Sequence, residues 1–251
     1  MRIDINSDVG ESFGAYSIGH DAGLMRSITS ANVAAGFHAG DPSVLRQTIR
    51  AAKQHGVAVG AHPGFPDLVG FGRRELNVTA TEAEDFVLYQ IAAVAGVAAA
   101  EGVSLQHVKP HGALFNMAVH DANLAGAIAR AVASFDKRLI LFGLPGSEIL
   151  KAGRAAGLRV AAEVFADRAY EADGTLASRK KPGTVIHDPD SVVTRAVRMA
   201  TQKNVVALDG SVVPLEADTM CVHGDTRGSD DLAARIRAGL EKAGVEVRSL
   251  G

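Results

Sequence analysis

The sequence predicts an α/β fold built on a parallel sheet, and three observations predict it. Short Val- and Ile-rich runs recur along the chain, most of them apolar throughout, as in parallel strands covered on both faces. Helices with recognisable starts lie between the runs. Glycines close those helices just before the next run, which suits left-handed C-terminal caps. Strand–helix units repeated in this way imply right-handed crossovers. Seven or eight units are enough for the sheet to close into a β/α barrel, and an open doubly wound sheet is the alternative.

In chain order the expected strands are "RIDIN" (2–6), "SANVAA" (30–35), "VAVGA" (57–61), "LQHVK" (105–109), "LILF" (139–142), "RVAAEVF" (159–165), "VVAL" (205–208) and "TMCVH" (219–223). Asp41-Pro42 and Asp188-Pro189 each pair an acidic N-cap with proline at the first helical position. Thr81 and Glu84 fit a capping box, and Asp121, Ser147 and Ser229 are further caps. The helix from Ser229 carries Leu232, Ile236 and Leu240 on one buried stripe. Gly56, Gly102, Gly157 and Gly244 are the expected helix ends.

Composition narrows the function classes. The chain has 251 residues, 47% apolar and 22% charged, with a net charge of -2 and interspersed signs. One domain over 1–251 is the expectation. No basic block points to nucleic acid. The single Cys221 excludes an intrachain disulfide or a cysteine zinc site; it reads as a buried small hydrophobe. The start, "MRIDINSD", lacks a signal-peptide pattern, and the Ala/Val-rich stretch 91–100 falls short of the roughly 20 apolar residues that span a bilayer. A cytoplasmic protein with a small-molecule substrate is the default.

Chemistry-bearing residues gather at strand ends. Four of the nine histidines, His38, His62, His111 and His223, follow a strand, and each is followed within two residues by glycine. Asn6, Asp8, Glu11, Glu163, Asp167 and Asp225 take comparable places. All C-terminal strand ends of such a fold share one ligand-binding face. His20, His55, His120 and His187 read as solvated, and His107 as structural within its strand. Two long loops, 64–77 and 166–183, suit lids over this face. Their cations, Arg73, Arg74, Arg168, Arg179, Lys180 and Lys181, suit an anionic ligand. No G-x-x-x-x-G-K-[ST] segment is present, and no G-x-G-x-x-G follows the first strand.

"NSDVGESFG", "AAGFHAGDP", "GAHPGFPDLVGFGRR", "KPHGALFN", "EVFADRAYEADGTLASR" and "CVHGDT" together resemble the signature blocks of the LamB/YcsF family, in order and over nearly the whole chain. One departure is Phe115, where tyrosine is expected in many members. The resemblance implies a seven-stranded, irregular barrel like that of glycoside hydrolases and polysaccharide deacetylases. It implies opening of 5-oxo-L-proline to L-glutamate driven by ATP, with Mg²⁺ accompanying the nucleotide, and two further subunits similar to parts of urea amidolyase-type enzymes.

On that reading Arg168, with Lys109 or Arg73, holds the carboxylate or phosphate. His62, His111 and His223 supply proton transfer or oxyanion contacts. Asp8 and Glu163 orient the histidines or act as base, and Asn6, Glu11, His38 and Asp225 complete the binding set. A metal variant uses Asp8, His38 and His62. The rival functions are a free-standing metal-dependent hydrolase or deacetylase on a carbohydrate or small amide, and a non-catalytic substrate-binding subunit.

Overall fold

The computed structural model describes residues 1–178, 181–224 and 228–251. Its elements are β1 (Arg2–Val9), α1 (Asp21–Leu24), β2 (Ser30–Ala34), α2 (Pro42–His55), β3 (Ala58–His62), α3 (Ala80–Ala100), β4 (Leu105–Val108), α4 (Gly112–Ala118), α5 (Ala122–Phe135), β5 (Ile140–Gly143), α6 (Glu148–Ala155), β6 (Arg159–Phe165), α7 (Pro189–Gln202), β7 (Asn204–Val206), β8 (Val212–Pro214), β9 (Thr219–Val222), α8 (Ser229–Lys242) and β10 (Glu246–Val247). Strands β1 to β6 and β9 run parallel in the order 1-2-3-4-5-6-9, and β9 pairs back onto β1. That last pairing closes the barrel and removes the open-sheet alternative.

The two faces of each strand explain the closure. In β1, Ile3, Ile5 and Val9 join the apolar core shared with the helices. Asp4, Asn6 and Asp8, on the alternate face, meet the other strands across the barrel. The lower interior is therefore a hydrogen-bonded ladder. Thr29 and Ser30 donate to Asp4 at 2.6 and 2.7 Å. Asn6 donates to Thr219 at 2.7 Å, Asn32 to Asn6 at 2.7 Å, and His107 Nε2 to Asn32 at 2.8 Å. His107 also stacks on Phe142, with ring centroids 4.4 Å apart. Gly60 makes room for it, since a Cβ there would lie 2.2 Å from the His107 ring. His107 is thus structural, as its place within a strand suggests.

Helix starts follow the caps. Asp41, Asp121, Ser147 and Asp188 all accept backbone N–H bonds at their helix N-termini. Gly56, Gly102, Gly157 and Gly244 all have positive φ. Two starts differ. The capping box is Thr79 with Glu82, one pair upstream of Thr81 and Glu84; the sequence holds two overlapping Thr-x-x-Glu patterns, and the earlier one has both reciprocal bonds. Ser229 is not an N-cap, because the preceding Gly228 turns the chain at φ +80° and the Ser229 hydroxyl donates instead to the Gly224 carbonyl.

The "VVAL" run is not a barrel strand. Its first part lies in β7, which forms an antiparallel hairpin with β8 outside the barrel. The turn between them contains Asp209-Gly210, with Gly210 at φ +86°. The 91–100 stretch is the C-terminal half of α3, the one helix among the described residues long and apolar enough to span a bilayer. Its Ala83, Val87, Ile91, Val94 and Ala98 are buried in the core shared by helices and barrel.

Candidate active site

The site begins with a buried cation. Lys109 follows β4 and reaches into the upper barrel, where Asp8 Oδ1 lies at 2.7 Å, Glu163 Oε1 at 2.9 Å and Cys221 Sγ at 3.0 Å. Asn6 Oδ1 lies farther off at 3.4 Å, so four polar atoms surround the three ammonium hydrogens. Burial opposes the charge, yet Asp8, Cys221 and Glu163 hold the lysine well above its ordinary pKa. Asp8 is the reciprocal case. Burial works against its charge, but His62 and Lys109 hold the carboxyl well below the usual carboxylate range. Glu163 and the Cys221 thiol are pushed up by burial, with Lys109 pulling the other way. Cys221 is therefore buried as expected, but against an ammonium rather than in wholly apolar surroundings.

Above this cation stand the histidines. His62 Nδ1 lies 2.7 Å from the Lys109 carbonyl, and His111 Nε2 lies 2.8 Å from the Phe71 carbonyl. A carbonyl only accepts, so both of those nitrogens carry hydrogen. The other two nitrogens, His62 Nε2 and His111 Nδ1, face each other at 2.9 Å. His38 stacks on His111 with centroids 3.8 Å apart. Burial above all holds His38 and His111 well below the ordinary histidine pKa. Glu11 Oε1 approaches His38 Nε2 to 3.6 Å and His111 Nδ1 to 3.7 Å. The glycines near these histidines allow the crowding. A Cβ on Gly64 would lie 2.6 Å from His38 Nδ1, and one on Gly224 would lie 2.2 Å from the Asp8 carbonyl.

A cleft of about 500 Å³ opens over the barrel end. Asp8, His62, Arg73, Lys109, His111, Arg168 and His223 all line it. Sequence segments more than 200 positions apart therefore do share one site. Asn6, Glu11, His38 and Glu163 are buried beside or beneath the cleft and are not part of its lining. Asp225, Arg179 and Lys180 lie outside the described residues. Both long loops contribute walls. In 64–77, Arg74 is tied to Asp67, while Arg73 lies over the Phe71 ring, 4.9 Å from its centroid. In the loop after β6, Arg168 donates to the Ala177 carbonyl at 2.6 Å. Arg195 of α7 braces this loop through the Ala166 and Arg168 carbonyls. Lys181 pairs with Glu171.

His223 Nδ1 lies 2.7 Å from Asp167 Oδ2. The carboxylate fixes hydrogen on Nδ1 and leaves Nε2 as the ring's other nitrogen. Sequence reasoning placed Asp167 at a strand end without giving it this partner. Of the two carboxylates expected to orient histidines or act as base, Glu163 pairs with Lys109, and Asp8 pairs with both Lys109 and, at 3.4 Å, His62 Nε2. His120 is exposed, as expected, and also lines the cleft wall. Phe115 lines the same wall. His20 is likewise exposed, but pairs with Asp230 at 2.7 Å.

Residues 3–251 match the LamB/YcsF family. The chain belongs to the LamB/YcsF family. Among relatives of this LamB/YcsF chain is a protein of Tolumonas auensis named as a subunit of 5-oxoprolinase, 55% identical over 249 residues and covering 99% of both chains. A solved structure, the lactam utilization protein of Thermus thermophilus, superposes with a TM-score of 0.95 at 50% identity over 100% of both chains. The catalytic domain of a peptidoglycan N-acetylglucosamine deacetylase from Eubacterium rectale shares the barrel, with a TM-score of 0.54 at 11% identity, covering 99% of this chain and 88% of that one. That likeness concerns the fold alone.

Proposed function

We propose that the chain is the lactam-binding, ring-opening subunit of an ATP-dependent 5-oxoprolinase, which converts 5-oxo-L-proline to L-glutamate with hydrolysis of ATP to ADP and phosphate. The observation that carries this reading is full-length similarity, at 55% identity, to a protein named as a subunit of 5-oxoprolinase. The word "subunit" supports an assembly; we assign the remaining roles to two further subunits of the amidolyase type and place the assembly in the cytoplasm with its nucleotide.

The chemistry asks for a small anionic pocket with a proton-transfer group. Amide resonance makes the lactam carbonyl a poor electrophile. Transfer of the γ-phosphoryl group, with Mg²⁺, from ATP to the carbonyl oxygen releases ADP and gives a carbon open to water. One water adds to that carbon and loses a proton. The C–N bond then breaks, the nitrogen takes a proton, and an acyl phosphate remains. A second water releases phosphate and glutamate.

His223, which pairs with Asp167, takes the proton from the water and returns it to the leaving nitrogen. Arg168 and Arg73 supply the cationic side of the cleft for the substrate carboxylate or the phosphate. Lys109 is committed to Asp8, Glu163 and Cys221, so it positions Asp8 rather than clamping the substrate.

The test is reconstitution with the two candidate partners and an assay of glutamate release from 5-oxoproline. Release that requires ATP is expected. Release without ATP overturns the reading in favour of a simple hydrolase, and no release from the full assembly overturns the substrate.

A further inference from the structure

We propose that Glu11, His38, His62 and His111 form a binding site for one divalent transition cation of the zinc class, set in the wall between the cleft and the barrel. The inference stands on side-chain geometry and does not rest on the lactam reading.

Three strand ends and the loop after β1 bring these four buried residues together, and one ligand atom from each lies within 4.8 Å of the others. Three separations are 2.9, 3.6 and 3.7 Å. Tetrahedral zinc with bonds of about 2.0–2.1 Å needs ligand atoms about 3.3 Å apart, so these three pairs need only small shifts, while the wider pairs must close as the ion binds.

The hydrogen positions point the same way. His62 and His111 each spend one N–H on a backbone carbonyl, the arrangement that fixes metal-ligating imidazoles. In their neutral forms this leaves two lone pairs opposed at 2.9 Å, with nothing between them to accept. A cation between the nitrogens resolves the conflict. A second observation is independent of that pair. His38 is completely buried, and neither of its ring nitrogens has a hydrogen-bond partner among the described residues. A buried polar group without a partner is costly, and coordination through Nε2 would supply one of the two missing partners.

Three imidazoles and one carboxylate suit zinc and its first-row neighbours rather than the hard, oxygen-seeking Mg²⁺ that travels with a nucleotide. Only His38 and His62 of the three residues in the sequence-based metal set belong to this cluster; Asp8 stands beside it, paired to Lys109. Since His62 and His111 line the cleft, the cation would border bound ligand; its four protein ligands leave no open position, so it would fix this wall of the cleft.

The experiment is titration of chelator-treated protein with Zn²⁺ and with Co²⁺, reading stoichiometry by calorimetry and the visible Co²⁺ spectrum. One equivalent with the intense bands of a four-coordinate ion is expected. Glu11→Gln and His38→Gln should each weaken binding at least tenfold, while His55→Gln, at an exposed histidine, should not. If a variant fails to fold, the wild-type ring-nitrogen NMR signals decide. Zn²⁺ should shift His38, His62 and His111 and leave His107 unmoved. Substoichiometric binding, unchanged affinity in both variants, or unmoved signals with a proton shared by His62 and His111 would overturn the proposal. Glutamate release is not read, so this failure is separable from failure of the lactam reading.

Discussion

Two layers of the same barrel interior treat histidine in opposite ways. In the lower layer His107 donates to Asn32, lies against Phe142 and ends a chain of neutral hydrogen bonds running to Thr219. In the upper layer His62 and His111 are equally buried, yet their lone pairs converge beside a carboxylate and above a buried ammonium. Burial is common to both layers. What separates them is that the lower layer's side chains pair with one another, His107 Nδ1 excepted, whereas in the upper layer two ring nitrogens face each other beside a carboxylate. The lower layer specifies the barrel, and the upper layer is left electrostatically incomplete at the cleft.

The largest effect should come from removing the cation that holds the upper layer. Lys109→Met leaves Asp8 and Glu163 buried without their partner, and loss of one partner of a buried pair costs about 3–5 kcal/mol. Urea unfolding should show this, whereas loss of under about 1 kcal/mol would mean the carboxylates are not dependent on the lysine. Next is the lower layer's packing. Gly60→Ala drives a Cβ into the His107 ring, and overpacking of this kind costs about 1–3 kcal/mol or more. A variant as stable as wild type would contradict the tight fit.

A pH measurement sharpens the contrast. Burial pushes His107 down to about 3. Below pH about 6.5 the unfolded chain takes up a proton that the native state refuses, so stability present above that pH is lost as pH falls toward 3. His107→Gln should flatten the wild-type loss by up to about 1.4 kcal/mol per pH unit between pH 6 and 4. Parallel curves would show that His107 does not titrate across this window. The smallest effect belongs to the surface. Arg138 pairs with Asp136 in solvent, and Arg138→Ala should leave the urea midpoint where it is in wild type; a clear drop would contradict this.

Much of the lower layer was readable because its signals are local. Alternation along β1 and β2, Asp-Pro helix starts and terminal glycines each act within a few residues. The errors fell where two local readings competed. "VVAL" carries a strand's composition, but Asp209-Gly210 behind it marks a hairpin that keeps β7 outside the barrel. The two Thr-x-x-Glu patterns at the start of α3 are indistinguishable until the helix packs.

The upper layer was readable only as a gathering. The sequence put His38, His62, His111 and His223 on one face, but partner choice depends on side-chain directions across the barrel. Nothing in the spacing pairs His223 with Asp167 rather than Glu163, or turns Lys109 from a substrate clamp into a support for Asp8. The signal for Asp167 was its place two residues past β6, on the loop that also carries Arg168.

The most direct test of the division between layers is the turnover of Asp167→Asn in the assembled enzyme, with the unfolding midpoint measured alongside. The amide keeps the shape of Asp167 but loses the charge that holds hydrogen on His223 Nδ1. Glutamate release from 5-oxoproline should fall by about 10²–10⁴-fold, with the midpoint unchanged. Turnover within twofold of wild type would show that the His223–Asp167 pair does not carry the proton transfer, and the upper layer would lose its assigned chemistry.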